Sequence, residues 1–405
     1  MILKAAWVVP VSEPAIPRGF VKAVGDRIAA VGRADALRPD DGPVIDLGDA
    51  ILAPGLVNPH THLELTCYAG RIKPGPFWSW LPHMVKLRRE PGQVEREQQG
   101  VYDGAWQSLR SGVTCVGDIS RLNLNWQVLK PIPIRKVCFV ELLSLADDQP
   151  RNPAELRSAV AEVEEDPLLT VGITPHAPYS VPGEQIRAAV LLADELARPW
   201  CTHWVETRAE RDFLLGDMGV LPIYIMDLLA QCNVRSPRQP AIDYLEHCCR
   251  GARPGLLAHF NYAEAGDAER LAAAGHAVAY CPRAHRYFGH SPHPYREMMS
   301  AGVSVVIGTD SAASNESLAL LEELRFLRRH IPDAPSAETL LQMVTLDAAR
   351  ALGLHGQIGS LEAGKQADLA AFPCPPGTTD PLATLFDAAP AATQVWVAGQ
   401  PVLQP

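Results

Sequence analysis

Two histidines separated by one residue, His60 and His62, stand in the stretch PGLVNPHTHLE directly after a short apolar run. Alternate side chains of an extended strand share a face, so both imidazoles aim at one place, as a metal-binding pair must. Two later segments offer matching donors. WCTHWVET carries His203 and, three residues on, Glu206, and VVIGTDSAASN carries Asp310. Neutral imidazoles and one carboxylate that leave a position for water make a catalytic centre, since structural zinc is closed by four protein ligands. His60, His62, His203 and Asp310 are therefore the expected ligands of one zinc ion, with ferrous iron the alternative, and water completes the shell. His259, in LLAHFNY, follows another apolar run and is placed to hydrogen-bond the attacking water.

Rival chemistries lack their residues. His62-Leu63-Glu64 satisfies half of one nucleobase-deaminase signature, but no P-C-x-x-C follows. Gly359 to Lys365 nearly matches a P-loop, yet Gln366 stands where Ser or Thr is needed. Neither G-x-S-x-G nor H-E-x-x-H occurs, so covalent serine catalysis and zincin proteolysis have no support. With 36 basic and 46 acidic residues the net charge is −10, the wrong sign for a nucleic-acid binder. No run approaches the ~18 apolar residues of a membrane span, and no signal-type segment is read, so the expectation is a cytoplasmic protein without a membrane partner. Nine cysteines without a C-x-x-C pair predict reduced thiols.

Donors this far apart in the chain need a scaffold that gathers them. Apolar, β-rich runs recur at 56–59, 113–118, 137–142, 170–174, 200–204, 256–260, 277–281 and 303–308. Stretches of helical period, such as 183–197 and 317–329, lie between or after them. Eight such repeats predict a parallel sheet closed into a (β/α)8 barrel over 55–361, with the chemistry at the C-terminal mouth. The ends of the chain, 1–54 and 362–405, read instead as short strands between turns, with Gly25-Asp26 a hairpin turn, and are expected to pair in one small β domain.

PGLVNPHTHLE, THWVET, AHFNY, IGTDSAASN and GSLEAGKQADLAAF together resemble the amidohydrolase superfamily, in its cytosine/adenosine deaminase-like and chlorohydrolase branch. The resemblance covers almost the whole chain. It implies an α/β fold, a distorted (β/α)8 TIM-type barrel with a small β-sandwich built from both termini. It also implies that His60, His62, His203 and Asp310 bind metal while Glu206 and His259 act on water and substrate. Members with two metals carry a lysine on the fourth strand; TVGITPHAPYS has none, which implies a mononuclear site with His176 touching substrate. Glu206 would then shuttle a proton from water to the ring nitrogen beside the attacked carbon, Asp310 would pass the second proton to the leaving amine, and His259 would steady the adduct.

The substrate is a small molecule whose leaving group these residues do not decide. CPRAHRYFGHSPHPYREM and HTHLELT resemble the aminodeoxyfutalosine deaminases of menaquinone biosynthesis, whose substrate is an adenine nucleoside with a benzoate-bearing arm. An anionic arm wants a cation, and Arg283, His285 and Arg121 are candidates. Glu64 would accept hydrogen bonds from the purine edge or the ribose. In TCYAGRIKPGPFWSWLPHMVKLRR, read as a long loop after the first barrel strand, Phe77, Trp78 and Trp80 are expected to be exposed and offer a lid or stacking wall, or a surface for a second copy in a homo-oligomer. Deamination of adenosine, S-adenosylhomocysteine or guanine, dechlorination of a triazine, and a barrel that only binds are the competing readings.

Overall fold

The computed structural model describes residues 1–144, 150–217, 221–387 and 391–403. The alternating N-terminal segment forms β1 (Ile2–Val8), β2 (Ile16–Val24), β3 (Arg27–Arg33), β4 (Val44–Asp46) and β5 (Ala50–Pro54). β2 and β3 pair antiparallel around the Gly25-Asp26 turn, where Gly25 has φ +61°, as this tight hairpin requires.

Eight parallel strands follow: β6 (Leu56–Thr61), β7 (Val113–Ser120), β8 (Arg135–Leu142), β9 (Leu169–Pro175), β10 (Cys201–Trp204), β11 (Leu256–His259), β12 (Ala277–Tyr280) and β13 (Ser304–Ile307). They correspond one for one to the eight apolar runs. β6 to β9 and β10 to β13 each hydrogen-bond in sequence order. Single bridges, Ile173 with Trp200 and Thr61 with Asp310, join the two halves into a ring. Nearly every strand residue is buried, because the inside is filled and helices cover the outside. Val57, Ile119, Val137, Phe139, Leu256 and Val306 share the interior cluster, which Ala348, Ala349 and Leu352 of the segment after β13 extend.

The chain ends on β14 (Leu369–Pro373), β15 (Gln394–Val397) and β16 (Gln400–Leu403). These join the N-terminal strands in one eight-stranded sheet, in the order β16-β15-β14-β5-β1-β2-β3, with β4 beside β1. β5 and β16 had no separate signal in the sequence. Strand alternation buries both faces of the sheet: Ile51, Ala53 and Phe372 enter the main core, while Leu52, Leu3 and Leu369 form a cluster of their own. Gly55 links sheet to barrel, and a Cβ there would lie 2.0 Å from Thr114 Oγ1. A buried ion pair fastens the two parts, with Arg135 Nε 2.8 Å from Asp368 Oδ2. Among the described residues no two cysteines are joined in a disulfide, and no helix is long and apolar enough to cross a membrane.

Candidate active site

The ends of β6, β10, β11 and the segment after β13 bring the sequence-distant donors together at the C-terminal mouth. His60 is fully buried, and neither ring nitrogen has a hydrogen-bond partner. Its Nε2 lies 3.8 Å from Asp310 Oδ1, and His62 Nε2 lies 3.7 Å from the same oxygen. His62 Nε2 and His203 Nε2 approach to 3.3 Å. His203 Nδ1 is 3.1 Å from the carbonyl of His176, so it carries the proton and Nε2 turns its lone pair inward. Two overlapping donor groups result, His60 with His62 and His203, and His60 with His259 and Asp310, each within 4.8 Å.

Orphaned buried nitrogens and facing lone pairs are unfavourable unless a cation sits among them, so this donor set fits a divalent ion of the zinc type. Burial also drives His60, His62 and His259 well below the usual imidazole range and His203 to about 3, which keeps the rings neutral as ligation requires. Asp310 is pushed up to about 6 by burial, and Ser314 Oγ donates to its Oδ2 at 2.6 Å, which leaves Oδ1 toward the histidines. Among the described residues, no other set of His, Cys, Asp or Glu side chains meets this distance.

Glu206 and His259 adjoin this donor set, with Oε1 and Nε2 3.8 Å apart and both side chains buried. Burial, and behind it the Asp310 carboxylate, pushes Glu206 well above the usual carboxylate range. A carboxyl that exchanges a proton beside a neutral imidazole and a metal set is equipped for hydrolysis.

The remaining sequence candidates divide. His176 is beside the cluster, its ring 5.0 Å from that of His203, and its Nδ1 meets Ser180 Oγ at 2.6 Å. Glu64 follows the ligand pair and is buried, accepting from Arg88 Nη2 and Ser120 Oγ. Arg121 is half-buried at the C-terminal end of β7. Arg283 and His285 are occupied elsewhere. The Arg283 guanidinium binds Ser317 and Glu316 and lies 3.7 Å from Glu323, while both ring nitrogens of His285 meet protein oxygens, Asn261 Oδ1 at 3.1 Å and Ser291 O at 2.7 Å. Trp80 is not an exposed loop aromatic. It lies in a helix, Phe77–Leu87, buried with its ring 6.0 Å from Phe77 and 5.4 Å from Phe288, and Nε1 donates to Ala313 O. Trp78, half-buried, instead donates to Thr207 Oγ1 at 3.1 Å and packs edge-on against Tyr179, which contacts His176 in turn.

Arg88, Glu210, Asn261, His293 and Ser314 hydrogen-bond to Glu64, Glu206, His259 or Asp310 and were not singled out from sequence. Only Glu210 had a local signal, the Thr207-x-x-Glu210 capping-box spacing at the start of helix Arg208–Leu214.

Residues 51–402 match the model of the amidohydrolase family. The chain belongs to that family. A 5-methylthioadenosine/S-adenosylhomocysteine deaminase of Moorella thermoacetica is 30% identical over 387 residues, covering 91% of this amidohydrolase and 84% of the relative. An adenosine deaminase from Xanthomonas campestris, solved with bound zinc, superposes with a TM-score of 0.85 at 26% identity and covers 100% of this chain and 92% of its own. The Helicobacter pylori aminofutalosine deaminase gives a TM-score of 0.85 at 25% identity, with 99% of each chain covered. The barrel, terminal sheet and histidine-rich site of this amidohydrolase are those of a metal-dependent hydrolase.

Proposed function

We propose that this amidohydrolase is a zinc-dependent hydrolytic deaminase of a 6-aminopurine nucleoside, with 6-aminodeoxyfutalosine of the menaquinone pathway as its preferred substrate. The observation that carries the reading is the buried Glu206–His259 pair at 3.8 Å beside the His60, His62, His203 and Asp310 donor set. When bound, zinc supplies hydroxide at neutral pH. Glu206 moves a proton to the ring nitrogen next to the attacked carbon, His259 orients the incoming oxygen, and Asp310 relays the second proton to departing ammonia. His176 and Glu64 contact the nucleoside, and Arg121 pairs with the carboxylate of the benzoate arm.

The substrate choice is supported by the segments CPRAHRYFGHSPHPYREM and HTHLELT and by the likeness to the aminofutalosine deaminase. A second reading, deamination of 5-methylthioadenosine or S-adenosylhomocysteine, is favoured by the Moorella relative at 30% identity. Ammonia release by the zinc-loaded protein from 6-aminodeoxyfutalosine, S-adenosylhomocysteine and adenosine tests both. A kcat/KM at least tenfold higher for the benzoate-bearing nucleoside is expected. Preference for S-adenosylhomocysteine would establish the second reading, and no release from any of the three would overturn both.

A further inference from the structure

The two strand ends that carry the acid/base pair leave regular β geometry. Val205, His259 and Phe260 have φ of +42°, +72° and +47°, in the left-handed region where a β-branched or bulky residue is strained. Such a backbone persists only where its neighbours over-determine it. Here three buried polar side chains do so. The Glu210 carboxylate accepts the backbone N–H of Val205 at 2.9 Å and of Glu206 at 3.0 Å. Asn261 donates from Nδ2 to the Glu206 carbonyl at 2.8 Å, and its own backbone N–H meets Val205 O at 3.1 Å. His293 donates from Nε2 to the His259 carbonyl at 2.7 Å. His285 lies behind Asn261, with Nδ1 3.1 Å from its Oδ1 and Nε2 2.7 Å from the carbonyl of Ser291.

We infer that Glu210, Asn261 and His293 are positioning residues for the Glu206–His259 pair, holding the left-handed turns at Val205 and at His259-Phe260 that bring carboxyl and imidazole together. Each bond ends on the main chain at Val205, Glu206 or His259, so the three act through geometry rather than by touching substrate. The inference rests on the proposed deamination for its kinetic consequence. A displacement of about 1 Å at reacting groups lowers turnover by roughly 100-fold, whereas binding of the nucleoside, which uses other residues, is spared.

The test compares Glu210→Gln, His293→Leu and His293→Gln in the zinc-loaded full chain. Glu210→Gln sets an amide N–H against a backbone N–H, His293→Leu removes the donor, and His293→Gln restores one. The first two are expected to lose about 10- to 100-fold in kcat with KM within about twofold and zinc content unchanged, and His293→Gln to recover most of the loss. Equal defects in His293→Gln and His293→Leu, a kcat that does not change, or zinc lost in step with activity would overturn the inference. Should Glu210→Gln not fold, the His293 pair decides alone. If the wild-type chain deaminates no aminopurine, the functional reading fails separately. Amide hydrogen exchange then judges the frame: faster exchange at Val205 and Glu206 in Glu210→Gln, with the melting temperature unchanged, supports it, and unaltered protection overturns it.

Discussion

Replacing Glu206 by Gln removes the ability to take up and release a proton and changes almost nothing else. The main chain of residue 206 is held by Glu210 and Asn261 through its own N–H and carbonyl, and these bonds do not involve the substituted side chain. The amide has the shape of the carboxyl, so the contact with His259 and the metal donors stay in place. General acid–base catalysis contributes about 10²- to 10⁴-fold. The upper part of that range is expected, because the other carboxylate at the centre, Asp310, is engaged by Ser314 and by the metal site and cannot take over the transfer to the ring nitrogen. A loss of 10³- to 10⁴-fold corresponds to about 4–5 kcal/mol in the barrier. Ammonia release under saturating nucleoside, with elemental analysis of the same preparation, reads both quantities. Full metal content with turnover reduced to that extent is the predicted result. Retained turnover would refute the proton-transfer role, and loss of metal would show that Glu206 serves the ion instead.

Arg121→Met is expected to raise KM for the benzoate-bearing nucleoside by about 10- to 100-fold, the worth of one charge-assisted hydrogen bond, and to leave adenosine kinetics unchanged. An equal effect on both nucleosides would remove Arg121 from carboxylate recognition. Asp368→Ala strips the buried Arg135 guanidinium of its bidentate partner and frees the Ala398 N–H, so a loss of about 3–5 kcal/mol is predicted, seen as a lower melting temperature. A melting temperature within error of wild type would show that solvent reaches Arg135. Asp118 is pushed from the usual 3.8 up to about 8 by burial. Its contribution to stability is complete below pH ~4 and is lost as pH rises through 8, because the unfolded chain releases the proton first. Denaturant titrations should therefore fall less steeply between pH 6.5 and 8 in Asp118→Asn than in wild type. Parallel slopes would mean that Asp118 is ionised in the folded protein.

The barrel was legible in the sequence because parallel strands buried on both faces are continuous apolar runs, and eight of them stand between turn and helix signals. The metal donors were legible for a related reason. A strand of period two places His60 and His62 on one face, and the mouth of a barrel collects whatever polar residue ends each strand, here His203 and Asp310 as expected ligands with His259, read instead as a partner of the attacking water, beside them. The helix Phe77–Leu87 was missed as an element because Pro76, Pro82 and several aromatics read as loop, and its burial of Trp80 depends on Phe288, more than two hundred residues away. Arg283 and His285 looked like free cations beyond a strand; their partners Glu323, Ser317 and Asn261 become neighbours only when the segments after β11 and β13 fold against them, while Ser291 meets His285 where the chain turns back beyond the helix Pro282–Phe288. The frame behind Glu206 is of the same kind. Residue types and strand period determine which groups meet at the mouth, whereas their orientation is decided by hydrogen bonds between segments that no local pattern links.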